Sequence, residues 1–201
     1  RTRKIESPKT TIPKAEIDYL HLFELMEQAD YTPSTKSYDT ISYISISKLA
    51  EKLSFSRATL DRMLSGDKYK AYLSADKEKK IIKLNTSFKA GSITQPFVCL
   101  TDTEISFLRK HHDNKLCNYL VYMKYYCGAC KNTGQNFTAE QFLTNCGYSI
   151  KANSNYDDLS RYNNLLEEAG FIMITRYRDE DKKKRNSYRY NPSYLYLSQD
   201  R

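Results

Sequence analysis

Residues 165–190 read Leu-Leu-Glu-Glu-Ala-Gly-Phe-Ile-Met-Ile-Thr-Arg-Tyr-Arg-Asp-Glu-Asp-Lys-Lys-Lys-Arg-Asn-Ser-Tyr-Arg-Tyr. Gly170 follows an apolar-periodic run and suits the left-handed residue that ends a helix. Phe171 to Arg178 then reads as a strand, Asp179 to Lys183 as a polar turn and Lys184 to Tyr190 as the returning strand. Upstream, Leu159, Tyr162, Leu166 and Ala169 recur on one face of a helix opened by Ser154-Asn-Tyr-Asp157. Gly147 to Asn153 is the turn before it. Thr138-Ala-Glu-Gln141 has the form of a capping box, and Phe137 and Phe142 are spaced as a hydrophobic staple, so a short helix runs to about Asn145. Further upstream, after a turn-forming loop over 128–135, Ile105, Leu108, Leu116, Leu120 and Met123 place a long helical stretch over Thr101 to Cys127, with a break at His112-Asp-Asn114.

The first half has the same order. Tyr19, Leu22, Phe23 and Met26 fall at i, i+3, i+4 and i+7 and predict a helix over Lys14 to Gln28. Tyr31 to Asp39 reads as a loop and Thr40 to Ser45 as a short strand. In Ser45-Ile-Ser-Lys-Leu-Ala-Glu-Lys-Leu-Ser-Phe-Ser-Arg-Ala-Thr-Leu-Asp-Arg-Met-Leu64, Leu49, Ala50 and Leu53 make one short helix. Ser54-Phe55 breaks it, and Ser56 caps a second helix with Leu60, Met63 and Leu64 inward. This reads as a helix-turn-helix, in which the small Ala50 would permit close approach and Phe55 would plug the turn. A hairpin is expected over Ile81 to Phe88 and Ile93 to Leu100, turning at Lys89-Ala-Gly-Ser92. Helix, strand, helix-turn-helix and hairpin, given twice, predict an α+β, mainly α, chain of two tandem winged helices. The expected division is a flexible basic arm over 1–12, domains over 13–96 and 97–192, and a tail over 193–201.

Composition agrees with a binding protein of this size. The 201 residues suffice for two small cores, and a net charge of +8 with pI near 9.1 favours a polyanionic partner. Residues 1–97 carry 17 Lys and Arg against 12 Asp and Glu (+5), and residues 98–201 carry 15 against 12 (+3), so neither half is acidic. No apolar run approaches the roughly 20 residues of a bilayer span and no signal peptide opens the chain. A cytoplasmic protein without a membrane partner is expected. The start at Arg1 rather than Met reads as that of a fragment or processed chain. Five cysteines show no disulfide framework. Cys127-Gly-Ala-Cys130 with His111 and His112 would be the sharpest zinc reading, but no second pair follows at ligand spacing, so no metal or other cofactor is expected. Three histidines, no Gly-rich phosphate loop and no spaced acid cluster argue against an enzyme.

The second helix of a helix-turn-helix enters the major groove, where exposed side chains reach base edges. The candidates in the first half are Ser56, Arg57, Thr59 and Arg62, with Asp61 beside Arg62 as a local partner, and Lys89 in the expected turn. In the second half they are Asn155, Tyr156, Ser160, Arg161, Asn163 and Asn164; Asp157 and Asp158 oppose phosphate there. The charged hairpin adds Arg176, Arg178, Lys182, Lys183, Lys184, Arg185 and Arg189. Alternation lets Arg176 and Arg178 share a side and follow a backbone or minor groove.

The paired pattern, carried by Ser47 to Leu64 and Leu165 to Tyr190, resembles the tandem winged-helix replication initiator proteins of plasmids and phages. The second half also resembles the winged-helix part of DnaD-like replisome organisers. The first resemblance implies sequence-specific binding to repeated double-stranded DNA sites at the origin of a mobile element, with a monomer-dimer switch. The second implies oligomerisation, contact with replisome proteins such as a helicase, and helicase loading. A transcription regulator using the same DNA contacts remains the alternative within binding proteins.

Overall fold

The computed structural model describes residues 3–5, 14–33, 37–84, 98–129, 134 and 136–194. The chain is α+β and divides into two compact units. One comprises Glu6–Lys9 and Ile17–Gln95, the other Arg1–Ile5, Thr10–Glu16 and Pro96–Arg201. They are called the amino-terminal and carboxy-terminal units below.

The amino-terminal unit begins with α1 (Tyr19–Met26), shorter than the predicted 14–28. Its start is set by Asp18, whose carboxylate accepts from the His21 N–H at 3.1 Å. Ile17, Leu20, Leu22 and Leu25 are buried with Tyr19 and Phe23, so the helix is enclosed on more sides than its spacing implied. The loop predicted over 31–39 instead contributes to a hairpin, β2 (Asp30–Thr32) and β3 (Ser37–Ser42). Ser45, read as a strand residue, is the N-cap of α2 (Ile46–Lys52), its Oγ accepting from Lys48 N–H at 3.2 Å. Ser54 turns the chain with φ +57°, and Phe55 donates its N–H to Ala50 at 2.8 Å before α3 (Arg57–Ser65) begins. Ala50 and Phe55 are both buried, and Phe55 packs edge-on against His21 at 4.4 Å between ring centres.

The predicted hairpin is displaced. β4 (Leu73–Asp76) pairs with β5 (Ile81–Leu84) across a turn at 77–80, so Ile81–Leu84 returns rather than departs. The alternation in Leu73-Ser-Ala-Asp76 is weak because only Leu73 is buried, while Ile82 and Leu84 pack inward. The predicted turn at Lys89 lies outside the described residues. β3 also pairs with β5, giving one antiparallel sheet in the order β2-β3-β5-β4.

In the carboxy-terminal unit, β6 (Val98–Leu100) pairs with β1 (Arg3–Ile5), not with 81–88. The arm expected over 1–12 thus contains a strand. Ala15 N–H, just before α1, bonds the Cys146 carbonyl at 2.7 Å, which ties this early segment to the carboxy-terminal unit. The long helical stretch is α4 (Asp102–His111) and α5 (Asn114–Ala129), broken where His112 adopts φ +48°. Asp113 caps α5 by accepting from Lys115 and Leu116 N–H at 3.0 and 3.1 Å. α6 (Ala139–Cys146) has a reciprocal capping box between Thr138 and Gln141; Phe137 and Phe142 both pack on Tyr122, at 5.3 and 5.1 Å. α7 (Asn153–Glu168) ends at Gly170 with φ +74°, and β7 (Ile172–Arg178) pairs with β8 (Lys184–Tyr190) throughout. Leu166, Phe171, Ile172, Tyr188 and Tyr190 close this core. Among the described residues no helix is long and apolar enough to cross a membrane.

Candidate nucleic-acid interface

In the amino-terminal unit, α3 turns Leu60 and Met63 into the core and leaves Arg57, Ala58, Asp61, Arg62 and Ser65 exposed. Ser56 Oγ accepts from Thr59 N–H at 3.0 Å and meets Thr59 Oγ1 at 2.8 Å, so both hydroxyls are used at the cap. Arg57 Nε, not Arg62, lies beside Asp61, at 3.5 Å; four residues' spacing along a helix stacks the two side chains. Arg62 lies on the last turn, and its positive field reaches Asp18, His21 and Tyr69. It is exposed and adjoins a small polar cluster: His21 Nδ1 lies 2.7 Å from Asp18 Oδ2, and Tyr69 OH accepts from Asp18 N–H at 3.0 Å.

The hairpin beside α3 supplies cations the sequence reading missed. Lys77, Lys79, Lys80 and Lys83 are exposed; Lys79 leans toward Asp76 at 3.7 Å. Lys83 lies opposite Ser74 and Thr40 on the outer face of the sheet. The clue was Asp76-Lys-Glu-Lys-Lys80 between two short apolar segments, a turn signal overshadowed by the glycine at 91. Lys89 lies outside the described residues.

The carboxy-terminal unit uses most of its predicted readers internally. Asn155 is buried: its Oδ1 accepts from Lys115 Nζ at 2.8 Å and its Nδ2 donates to Ser149 O at 2.7 Å. Tyr156 OH donates to Ile150 O at 3.1 Å. Both hold the α6–α7 turn, which explains why it tolerates six residues between the helices. Asn163 Oδ1 accepts from Tyr119 OH at 2.8 Å. Asp158 pairs with Lys115 at 2.5 Å and with Arg161 at 3.0 Å, and the Lys115 contact leads in holding its carboxyl below the usual range. Arg161 also reaches Asp113 at 3.3 Å and lies over the Tyr162 ring. Of the predicted face, Ser160, Arg161 and Asn164 remain exposed, beside Asp157, Arg161 with its two carboxylate contacts.

Register corrects the reading of the hairpin. Arg176 and Arg178 do share a face, but Ile172, Tyr188 and Tyr190 lie on it too, and it is the face that packs on the core. Arg176 is held by Glu167 through two bonds of 3.2 and 2.6 Å, which keep the Glu167 carboxyl below its ordinary value. Arg178 donates to Lys182 O at 3.2 Å, Lys183 N–H and Arg185 Nε both bond Asp179 at 2.8 Å, and Lys183 Nζ lies 3.4 Å from Asp181. Lys182, at φ +60°, and Lys184 are exposed at the tip. The other face of the hairpin carries Met173, Thr175, Tyr177, Arg185, Ser187 and Arg189.

Cys127 is buried and its Sγ lies 3.7 Å from Tyr188 O, while His111 packs on Phe107; Cys130 lies outside the described residues. Among the described residues no group of three or more His, Cys, Asp or Glu is arranged to hold a metal ion. The chain matches no protein-family model, no curated protein and no solved structure.

Proposed function

We propose that the chain is a duplex-DNA-binding protein of two winged helices, serving as replication initiator of a plasmid, phage or other mobile element. The observation that carries the DNA reading is the amino-terminal sheet order: β3, the strand before the α2–α3 pair, joins β5, the return strand of the hairpin that follows it. That pairing sets a lysine-bearing hairpin after an exposed α3, the arrangement in which a winged helix offers a reading helix to the major groove and a wing to the backbone. Arg57 and Arg62 suit guanine edges or phosphates, and the Ala58 methyl suits thymine. In the carboxy-terminal unit the carboxyl groups of Asp158, Glu167 and Asp179 are held below their ordinary range by Lys115, Arg176 and Arg185 respectively, contacts that suit a scaffold. The replication role follows the family resemblance.

Duplex binding across a salt series tests the proposal. Tight binding at low salt that falls steeply with salt is expected, and Arg57→Ala with Arg62→Ala weakens it; no binding at low salt overturns it. Recovery of bound sequences from a random duplex pool tests the specificity, and loss of replication of an origin bearing those sites tests the role.

A further inference from the structure

The outer face of the β7–β8 hairpin is chemically unlike the rest of the interface. Along one strand stand Met173, Thr175 and Tyr177; directly opposite them stand Arg189, Ser187 and Arg185. Met173 is 49% exposed and Tyr177 38%, two of the few large apolar side chains left open among the described residues. At each end of the face an exposed apolar side chain stands opposite an arginine, about 13 Å apart along the strand at ~3.3 Å per residue, with Thr175 and Ser187 between them. None of its six residues is acidic. Arg185 is ion-paired through its Nε with Asp179 Oδ2 at 2.8 Å, a contact that uses one edge of the guanidinium. Gly134 borders the hairpin without a side chain; a Cβ there would come within 2.9 Å of Ser187 Oγ and 3.6 Å of Arg189 Nε.

We propose that this face is a platform for single-stranded DNA, with Tyr177 stacking on an unpaired base, Met173 packing against a second, and Arg185 and Arg189 holding the intervening phosphates. The charge selects a polyanion. The exposed ring and thioether select one whose base faces are free, because an intact duplex presents phosphates and groove edges and keeps its base faces stacked inside. A peptide partner of acidic character would use the arginines but gain no register from an aromatic and an arginine directly opposed across two strands. The inference deepens the DNA-binding reading and rests on it only for the kind of polymer: duplex is assigned to α3 and the Lys77–Lys83 hairpin, single strand to the second hairpin.

The test uses the full chain, a labelled oligothymidylate of about 12 nucleotides and a labelled duplex, followed by fluorescence polarisation, with thermal melting of each variant as the folding control. Tyr177→Ala and Tyr177→Leu are expected to weaken oligothymidylate binding by about tenfold, Tyr177→Phe to retain it, and all three to leave duplex binding little changed. Arg185→Ala with Arg189→Ala should lower the salt slope for the single strand by about 1.4, two phosphates at ~0.7 each. Arg57→Ala with Arg62→Ala should do the reverse, weakening duplex alone. Oligothymidylate binding that is absent from the parent chain overturns the proposal, as does binding unaffected by Tyr177→Leu and by the double arginine change. Equal loss of duplex and single strand on changing Tyr177 overturns it too, in favour of a wedge into duplex. Single-strand binding without any duplex binding sustains this proposal and defeats the duplex one.

Discussion

The ammonium of Lys124 in α5 lies between the two carboxylate oxygens of Glu104 in α4, at 2.8 and 2.7 Å, with Lys124 3% and Glu104 0% exposed. Tyr190 of β8 donates to the same carboxylate, and Thr101 adds its N–H and hydroxyl at 2.6 and 2.9 Å. One acid thus joins two helices and a strand. Lys124→Met leaves that carboxylate buried beside fewer donors and is expected to cost about 3–5 kcal/mol in urea unfolding. Replacing both residues, Lys124→Met with Glu104→Leu, should recover only part of the loss, because the stranded charge is removed but the buried Tyr190 hydroxyl and the Thr101 N–H lose their acceptor.

Asn155 and Asn164 occupy the same helix and separate packing from exposure. Asn155→Ala removes bonds to Lys115 and to the Ser149 carbonyl and should destabilise the protein by about 1–3 kcal/mol. Asn164→Ala, at an exposed site, should stay within about 0.5 kcal/mol. Thermal unfolding of the two variants distinguishes them.

His21 makes the amino-terminal unit sensitive to a rise in pH above 6.5. Its hydrogen bond to Asp18 raises its pKa above the ordinary 6.5 against the opposing effect of burial, and the Asp18 and Glu24 charges add to the rise. Folding therefore favours the protonated ring. That contribution is full below pH 6.5 and is lost as pH rises through the higher folded value. The urea midpoint should fall over this window, and His21→Gln should flatten the fall.

The relocated hairpin makes a prediction about salt. Lys77→Ala, Lys80→Ala and Lys83→Ala together should lower the slope of log K against log salt for duplex by up to about 2.7, at ~0.9 for each phosphate contact. Arg176→Ala should leave it unchanged, because both prongs of that guanidinium are held by Glu167. Binding isotherms over a salt series measure both.

Several local signals were legible because a few neighbouring residues determine the outcome. Thr138 and Gln141 cap α6 reciprocally as their spacing requires, Ser56 caps α3, and Gly170 takes the left-handed turn that a β-carbon would resist. The strands of the β7–β8 hairpin could be placed from alternation because Ile172, Tyr188 and Tyr190 supply a buried side. The first hairpin was misplaced because Ala75 and Asp76 give β4 little apolar contrast, and its partner strand satisfies it instead. Pairing of β1 with β6 joins residues nearly a hundred positions apart, which no local window contains.

The candidate interface divides along the same line. Sequence by itself determined which side chains are candidates for DNA contact: the arginines of α3, the asparagines of α7 and the basic hairpin. Only the tertiary structure decided which of them have other work. Lys115 and Asp113, on and just before α5, reach across to α7 and occupy Asn155, Asp158 and Arg161, while Glu167 occupies Arg176. The physical reason is that a strand or helix period states which residues share a face, whereas the packing partner determines whether that face meets protein or solvent.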